Sequence, residues 1–232
     1  DKFIPAFKIG SGDLTWHEIV SHIAKKNKPV ILATGASDLS EVKETVEIIE
    51  KVNKDIVLMQ CNTNYTGSNE NFNFINLNVL NEYKKYFPNC ILGLSDHTPG
   101  HTTVLGSISL GARVIEKHFT DDTSQEGPDH KFSMDPLTWS EMVKESRILE
   151  QSLGTNIKKI EKNELDTVIL QRRAIRVKKD LKKGYVLNRD DLEVLRPCPT
   201  NSIPPGSINS ILGKSINKNM KSGEHLCWED LK

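Results

Sequence analysis

The sequence predicts an α/β fold, a parallel sheet with helices outside, followed by a separate and smaller β-rich module. Three observations predict it. Apolar runs near residues 7, 31, 57, 92 and 114 alternate with helical-looking stretches, and consecutive strand–helix–strand units build a parallel sheet covered by helices. Two neighbouring runs, Gly93-Leu94-Ser95-Asp96-His97 and Ile115-Glu116-Lys117-His118-Phe119, end in polar residues able to bind a metal or a substrate. That is where loops from different strands converge in such folds, at their carboxyl ends. After Gly154 the pattern changes to short strands and turns.

Phe7-Lys8-Ile9 opens as a short strand and runs into the turn Gly10-Ser11-Gly12-Asp13. The glycines let backbone amides approach an anion, to which Lys8 and Ser11 add a charge and a hydroxyl. Thr15 with Glu18 forms the pattern of a capping box ahead of the apolar face Ile19, Val20 and Ile23. Pro29 to Gly35 is the next strand and turn, followed by a helix with Asp38 and Glu41 at its start. Asp55 to Cys61 is the third strand. It enters the polar loop Asn62-Thr63-Asn64-Tyr65-Thr66-Gly67, suited either to reading sugar hydroxyl and acetamido groups or to building a plain turn.

The fourth strand ends at Ser95-Asp96-His97. A small-residue helix from Thr102 to Leu110 stops at Gly111, and the fifth strand ends at His118. Placed alike on successive strands, His97 and His118 can share one divalent cation, with Ser95, Asp96 and Glu116 beside them. A polar loop from Thr120 to Lys131 holds Asp129 and His130 at the rim, and Pro136 to Leu153 reads as a helix with Trp139, Met142, Val143, Ile148 and Leu149 as its apolar positions. Residues 155–170 are charged and poor in core residues, and read as a linker. Beyond them Lys179, Lys182, Gly184, Asp191 and Leu192 recur at a constant offset as Lys218, Lys221, Gly223, Asp230 and Leu231. Two half-motifs of this kind predict a small pseudo-symmetric β domain, with Arg196 held outward by the proline-rich stretch between them.

Lys+Arg and Asp+Glu both total 31, so nothing favours nucleic acid or a membrane surface as a partner. No apolar run is long enough to span a bilayer. Cys61, Cys90, Cys198 and Cys227 lie far apart, which argues against a zinc knuckle or a disulfide scaffold and for a reducing, cytoplasmic location.

Lys8-x-x-Ser11, the GLSDHT run, the IEKHF run, GPDH at 127–130 and the Leu195-Arg196-Pro197 segment, taken in this order, resemble the sialic acid synthase family along essentially the whole chain. The resemblance implies a (β/α)8 TIM barrel followed by an antifreeze-like (SAF) domain. Residues 1–154 would be the C-terminal part of the barrel, with about five of its eight strands, and 171–232 the SAF domain. The first three strands would lie outside this chain, and the 232 residues alone would be inactive. The implied reaction joins phosphoenolpyruvate to N-acetylmannosamine or a related amino sugar, giving a nine-carbon 2-keto acid and phosphate.

By the same resemblance Lys8 and Ser11 bind phosphoenolpyruvate, with Ser95 beside them. His97 and His118 bind a divalent metal, Mn2+ or Mg2+. Glu116 and Asp129 position the amino sugar, and Tyr65 contacts it. Where many relatives read Cys-Thr-Asn, this chain reads Cys61-Asn62-Thr63-Asn64. The phosphoenolpyruvate-contacting asparagine therefore falls on Thr63, flanked by Asn62 and Asn64. Arg196 reaches the acetamido group from the other subunit of a domain-swapped homodimer. The competing expectations are another phosphoenolpyruvate-using 3-deoxy-keto-acid synthase, and a non-catalytic carbohydrate-binding or assembly protein on the same scaffold.

Overall fold

The computed structural model describes residues 2–232, which form two compact units divided between Thr155 and Asn156. In the first, strands β1 (Phe7–Ile9), β2 (Val30–Ala33), β3 (Ile56–Cys61), β4 (Ile91–Asp96) and β5 (Val114–Lys117) form one parallel sheet in sequential order. The helices α1 (His17–Ala24), α2 (Leu39–Glu50), α3 (Val79–Tyr86) and α4 (Thr102–Ser109) lie in the crossovers, and α5 (Pro136–Leu153) follows β5. Sequential order is the barrel sense; a doubly wound sheet would reverse direction at a switch point.

The sheet is curled into part of a TIM-barrel-like core. In a flat sheet the first and fifth strands would stand roughly 19 Å apart. Here Lys8 on β1 and Glu116 on β5 meet at 2.8 Å across the concave face. Alternation along the strands sends Ile9, Leu32, Ile56, Leu58 and Leu92 toward the helices, where they pack with Val20, Val42, Val46, Ile49 and Leu80. The opposite positions face the concave side, which is where the polar residues of the strand ends gather.

Capping explains where the helices begin. Asp38 accepts hydrogen bonds from the Ser40 and Glu41 amides while the Glu41 carboxylate accepts from the Asp38 amide, a complete capping box. Asp135 caps α5, and Pro136 occupies its first turn. The capping box expected of Thr15 and Glu18 does not form. The α1 helix begins at His17, with Trp16 at the cap and no side-chain cap bond. Glu18 is thereby only the second helical residue, one short of the position that reaches back to a cap. On α5, Met142 is buried and Trp139 and Leu149 are partly so, whereas Val143 and Ile148 stay exposed. The buried stripe is narrower than the apolar one.

The second unit begins with a charged stretch that contains the helix α6 (Leu165–Gln171). Strands β6 (Ala174–Val177) and β7 (Leu192–Leu195) then pair antiparallel. The sequence echo is a pseudo-two-fold axis. Leu181 and Met220 exchange amide-to-carbonyl bonds with each other, both at 2.8 Å. The Gly184 amide donates to the Ile216 carbonyl and, reciprocally, Gly223 to Val177, again at 2.8 Å. Val177 faces Leu192 as Ile216 faces Leu231. The apolar core of the unit includes Ile175, Val177, Leu187, Leu192, Ile203, Ile216 and Leu226.

Each half also buries one carboxylate. Asp191 lies 2.7 Å from Lys179 Nζ and accepts from the Asn188 amide; Asp230 lies 2.6 Å from Lys218 Nζ and accepts from the Cys227 amide. Burial pushes the Asp191 carboxyl up, but the Lys179 ammonium and the Asn188 amide outweigh it and hold the pKa below the ordinary value. A depressed folded-state pKa stabilises at neutral pH, and that stability is lost as pH falls from about 3.9 through the lower folded value. The melting temperature of this unit is therefore expected to hold from neutral pH to mild acid and to drop below about pH 4. Asp191→Asn should lower it by several degrees at neutral pH and flatten the acid limb. An acid limb as steep as the parent's, read by circular dichroism, would assign it to other carboxylates.

Candidate active site at the strand ends

The concave face carries a connected set of side chains. Lys8 and Glu116 form an ion pair at 2.8 Å, each roughly two-fifths exposed. Burial raises the Glu116 pKa, but the Lys8 ammonium and a hydrogen bond from Ser95 outweigh it, so Glu116 ionises below the usual carboxylate range. The Cys61 thiol lies between the Ser11 and Ser95 hydroxyls, and burial pushes its pKa up, so it is a neutral wall of the site. Ser11 Oγ accepts from the Gly35 amide at 2.9 Å. A Cβ at Gly35 would stand 2.5 Å from Thr63 Cγ2 and 3.0 Å from Ser11 Oγ, so any side chain there would displace Thr63 and crowd Ser11.

The two imidazoles stand beside this group with ring centroids 5.1 Å apart. His97 is buried, and its Nδ1 donates to the Asn62 carbonyl at 2.8 Å. That bond fixes the tautomer and leaves the Nε2 lone pair available to a cation. Desolvation holds its pKa below the ordinary histidine value, against the Asn62 bond, so the ring is neutral. His118 Nδ1 lies 3.4 Å from Asp129 Oδ2. Phe132 packs edge-on against His118 at 5.0 Å and His97 at 6.2 Å, and Tyr65 covers them at 5.8 and 4.2 Å. Gly67 adopts φ +63°, a conformation that favours glycine, and a Cβ there would crowd Phe132 at 3.0 Å.

Two convergent imidazoles, one neutral with a free Nε2 and the other flanked by a carboxylate, fit as part of the donor set of a manganese or magnesium ion. Water or substrate oxygens can complete the coordination. Among the described residues no group of three or more His, Cys, Asp or Glu side chains is arranged to hold a metal alone.

The structure thus brings together Lys8, Ser11, Thr63, Tyr65, Ser95, His97, Glu116, His118 and Asp129 on one face. Asn64 lies in the loop after β3, where its side-chain oxygen accepts from the Thr66 amide and hydroxyl and from Asn71. Asp96, expected beside the imidazoles, points to the helix side and pairs with Lys117 at 2.6 Å. The reason is alternation: Ser95 and His97 share one face of β4, so Asp96 takes the other. Arg196 lies on the second unit, exposed, with Nε donating to the Gln171 carbonyl at 2.6 Å. Sequence reasoning missed Phe132, Lys117 and the Asn62 carbonyl. The alternation of β5 was a readable signal for Lys117; residue types give none for a carbonyl acceptor.

No helix among the described residues is long and apolar enough to cross a membrane. An uncharacterised protein of Methanocaldococcus jannaschii is 40% identical over 98% of the chain and 66% of its own length. The N,N'-diacetyllegionaminic acid synthase of Legionella pneumophila is 36% identical over 98% of the chain and 64% of its length. Human N-acetylneuraminate-9-phosphate synthase is 30% identical over 92% and 58%. The chain therefore spans just under two thirds, or less, of these relatives.

Among solved structures, N-acetylneuraminic acid synthetase of Leptospira borgpetersenii, determined with citrate, superposes with a TM-score of 0.65 at 26% identity, over 72% of this chain and 57% of that one. The spore coat polysaccharide biosynthesis protein of Bacillus subtilis gives 0.59 at 26%, over 98% and 67%. The sequence signature of the NeuB family matches residues 1–158 and that of the SAF domain residues 172–232, so the chain belongs to the NeuB family and carries a SAF domain after its synthase-type unit.

Proposed function

We propose that this chain serves a synthase that condenses phosphoenolpyruvate with an amino sugar of the N-acetylmannosamine type, releasing phosphate and a nonulosonic acid. The observation that carries this reading is the pair His97 and His118, 5.1 Å apart at adjacent strand ends beside the Lys8–Glu116 ion pair. Relatives named as synthases of N,N'-diacetyllegionaminic acid and of N-acetylneuraminate 9-phosphate, both N-acetylated products, support the substrate class.

In this reading Lys8, Ser11 and Ser95 hold the anionic groups of phosphoenolpyruvate, with Thr63 at the edge of the same pocket. Tyr65 and Asp129 orient the sugar, and Glu116 stands at its reacting carbon. His97 and His118 would hold a divalent manganese or magnesium ion, which supplies Lewis-acid polarisation of an aldehyde oxygen when bound. The C2–C3 π pair of phosphoenolpyruvate forms the new bond to the aldehyde carbon, whose oxygen gains a proton. Water adds at C2 and loses a proton; the C2–O bond to phosphate then breaks, phosphate leaving with the bridging oxygen and that bond's electron pair, and the C2 hydroxyl loses its proton as the 2-keto group forms. Lys8 offsets the substrate's negative charge throughout, and the rings of Tyr65 and Phe132 pack against the imidazoles and help to hold their orientation.

Arg196 of a second copy, in a domain-swapped homodimer, reaches the acetamido group, to which its planar guanidinium can donate in a fork. A cytoplasmic setting agrees with four free cysteines. The test is phosphate release by the whole protein with phosphoenolpyruvate and Mn2+, against N-acetylmannosamine and the diacetamido trideoxy sugars of the legionaminic and pseudaminic series. Metal-dependent release with at least one acetamido sugar is expected. Release that needs no metal, or none with any amino sugar, overturns the reading.

A further inference from the structure

Behind the imidazoles lies a polar cluster for which the proposed reaction has no use. The side chains of Asp96 and Lys117 are 0% and 1% exposed, with Nζ 2.6 Å from Oδ2. The same ammonium donates to the Thr98 carbonyl at 2.7 Å. The carboxylate also accepts from the Thr98 amide and hydroxyl, and from Thr103 Oγ1 at 2.6 Å. Asp96 and Lys117 are register partners on β4 and β5. The cluster sits on the helix side, beside the apolar group Leu94, Val104 and Ile108.

A buried ion pair is a weak source of stability, because removing two charges from water offsets most of their attraction. An apolar pair of similar volume would often serve the core as well or better. What this pair supplies is placement. Asp96 immediately precedes His97, and Lys117 immediately precedes His118. Lys117 also holds the Thr98 carbonyl, so the chain on both sides of His97 is tied to the end of β5. Alternation puts this tie on one face of the sheet and both rings on the other.

We propose that the Asp96–Lys117 pair is a positioning device that sets the separation of His97 and His118 for a shared divalent cation. This rests on the metal reading given under the proposed function. Neither residue touches the ion or a substrate; both act through the backbone of the residue that follows. Lys8 and Glu116 face the imidazoles from the inner side and cannot replace the tie, since their contact crosses the concave face and joins β1, not β4, to β5.

The experiment measures Mn2+ binding by the paramagnetic resonance of the free ion, together with thermal melting in metal-free buffer. The double variant Asp96→Asn/Lys117→Met removes both charges at nearly constant volume. It should melt within a few degrees of the parent yet bind Mn2+ roughly 10–100-fold more weakly, the range seen when groups supporting a metal ligand are lost. Lys117→Arg, which keeps the charge and donors, should retain most of the affinity, a rescue that a purely packing role would not give. Parental affinity in the folded double variant overturns the proposal. If the double variant does not fold, Thr103→Val, which deletes one hydrogen bond to Asp96, should still weaken Mn2+ binding severalfold, and unchanged affinity there overturns it equally. A folded parent that binds no Mn2+, or binds it as well after His118→Ala, sinks the metal reading itself, an outcome distinct from failure of the pair alone.

Discussion

Replacing His118 by alanine is expected to weaken Mn2+ binding by roughly 100-fold or more, since even groups that only support a ligand contribute about 10–100-fold. Metal-dependent phosphate release should vanish with it. The fold should survive, because the His118 side chain is 29% exposed and lies at the rim of the site. His97→Ala is a less clean experiment. That ring is buried and its Nδ1 satisfies the Asn62 carbonyl, so its loss also leaves a cavity and a part-buried acceptor without its partner. The measurement is turnover against Mn2+ concentration, with circular dichroism melting as the control for folding. Turnover at the parent level in a folded His118→Ala protein would remove His118 from any metal role.

Lys8→Met should act on one substrate only. A charge-assisted hydrogen bond contributes about 1.5–3 kcal/mol, so the KM for phosphoenolpyruvate is expected to rise roughly 10–150-fold. The KM for the amino sugar should stay near the parent value. Glu116 loses its ammonium partner in the same variant, and its pKa moves upward because the Lys8 contact opposes burial. Lys8→Arg should recover part of the loss, since it keeps the charge but not the shape. Steady-state kinetics with each substrate varied in turn decides the matter. If the KM for phosphoenolpyruvate is unchanged, the charge on Lys8 serves Glu116 and not the substrate.

Much of the fold was legible because its signals are local. Each of the five apolar runs became a strand, and α5 runs from Pro136 to Leu153 as its pattern suggested, capped by Asp135 and started by a proline. The pairing of His97 with His118 was legible too, because two runs of the same shape end in the same residue. The face of Asp96 was misjudged although the information was present: period-two alternation assigns residues 95 and 97 to one side and 96 to the other. The Thr15–Glu18 box failed because a motif states which residues can cap a helix, not where the helix starts. The Asn62 carbonyl and the ring of Phe132 were not legible. One is a backbone atom that every residue type carries, and the other sits beyond a polar loop whose path only the folded chain defines.

The pseudo-two-fold axis of the second unit has a consequence for the speed and order of folding. Nearly all the bonds that define the axis join one half to the other. Lys183 reaches Asn219 across 36 residues, and Ser222 reaches Asp180 across 42. Neither half can complete its hydrogen bonds locally, so a chain that has formed only one half has little to hold it. Chain entropy must be surrendered over these long separations before any pairing compensates for it, which is the circumstance that slows folding. The unit is therefore expected to fold in a single cooperative step, gated by the encounter of Leu181 with Met220, and substitutions at those two positions should slow refolding more than they speed unfolding.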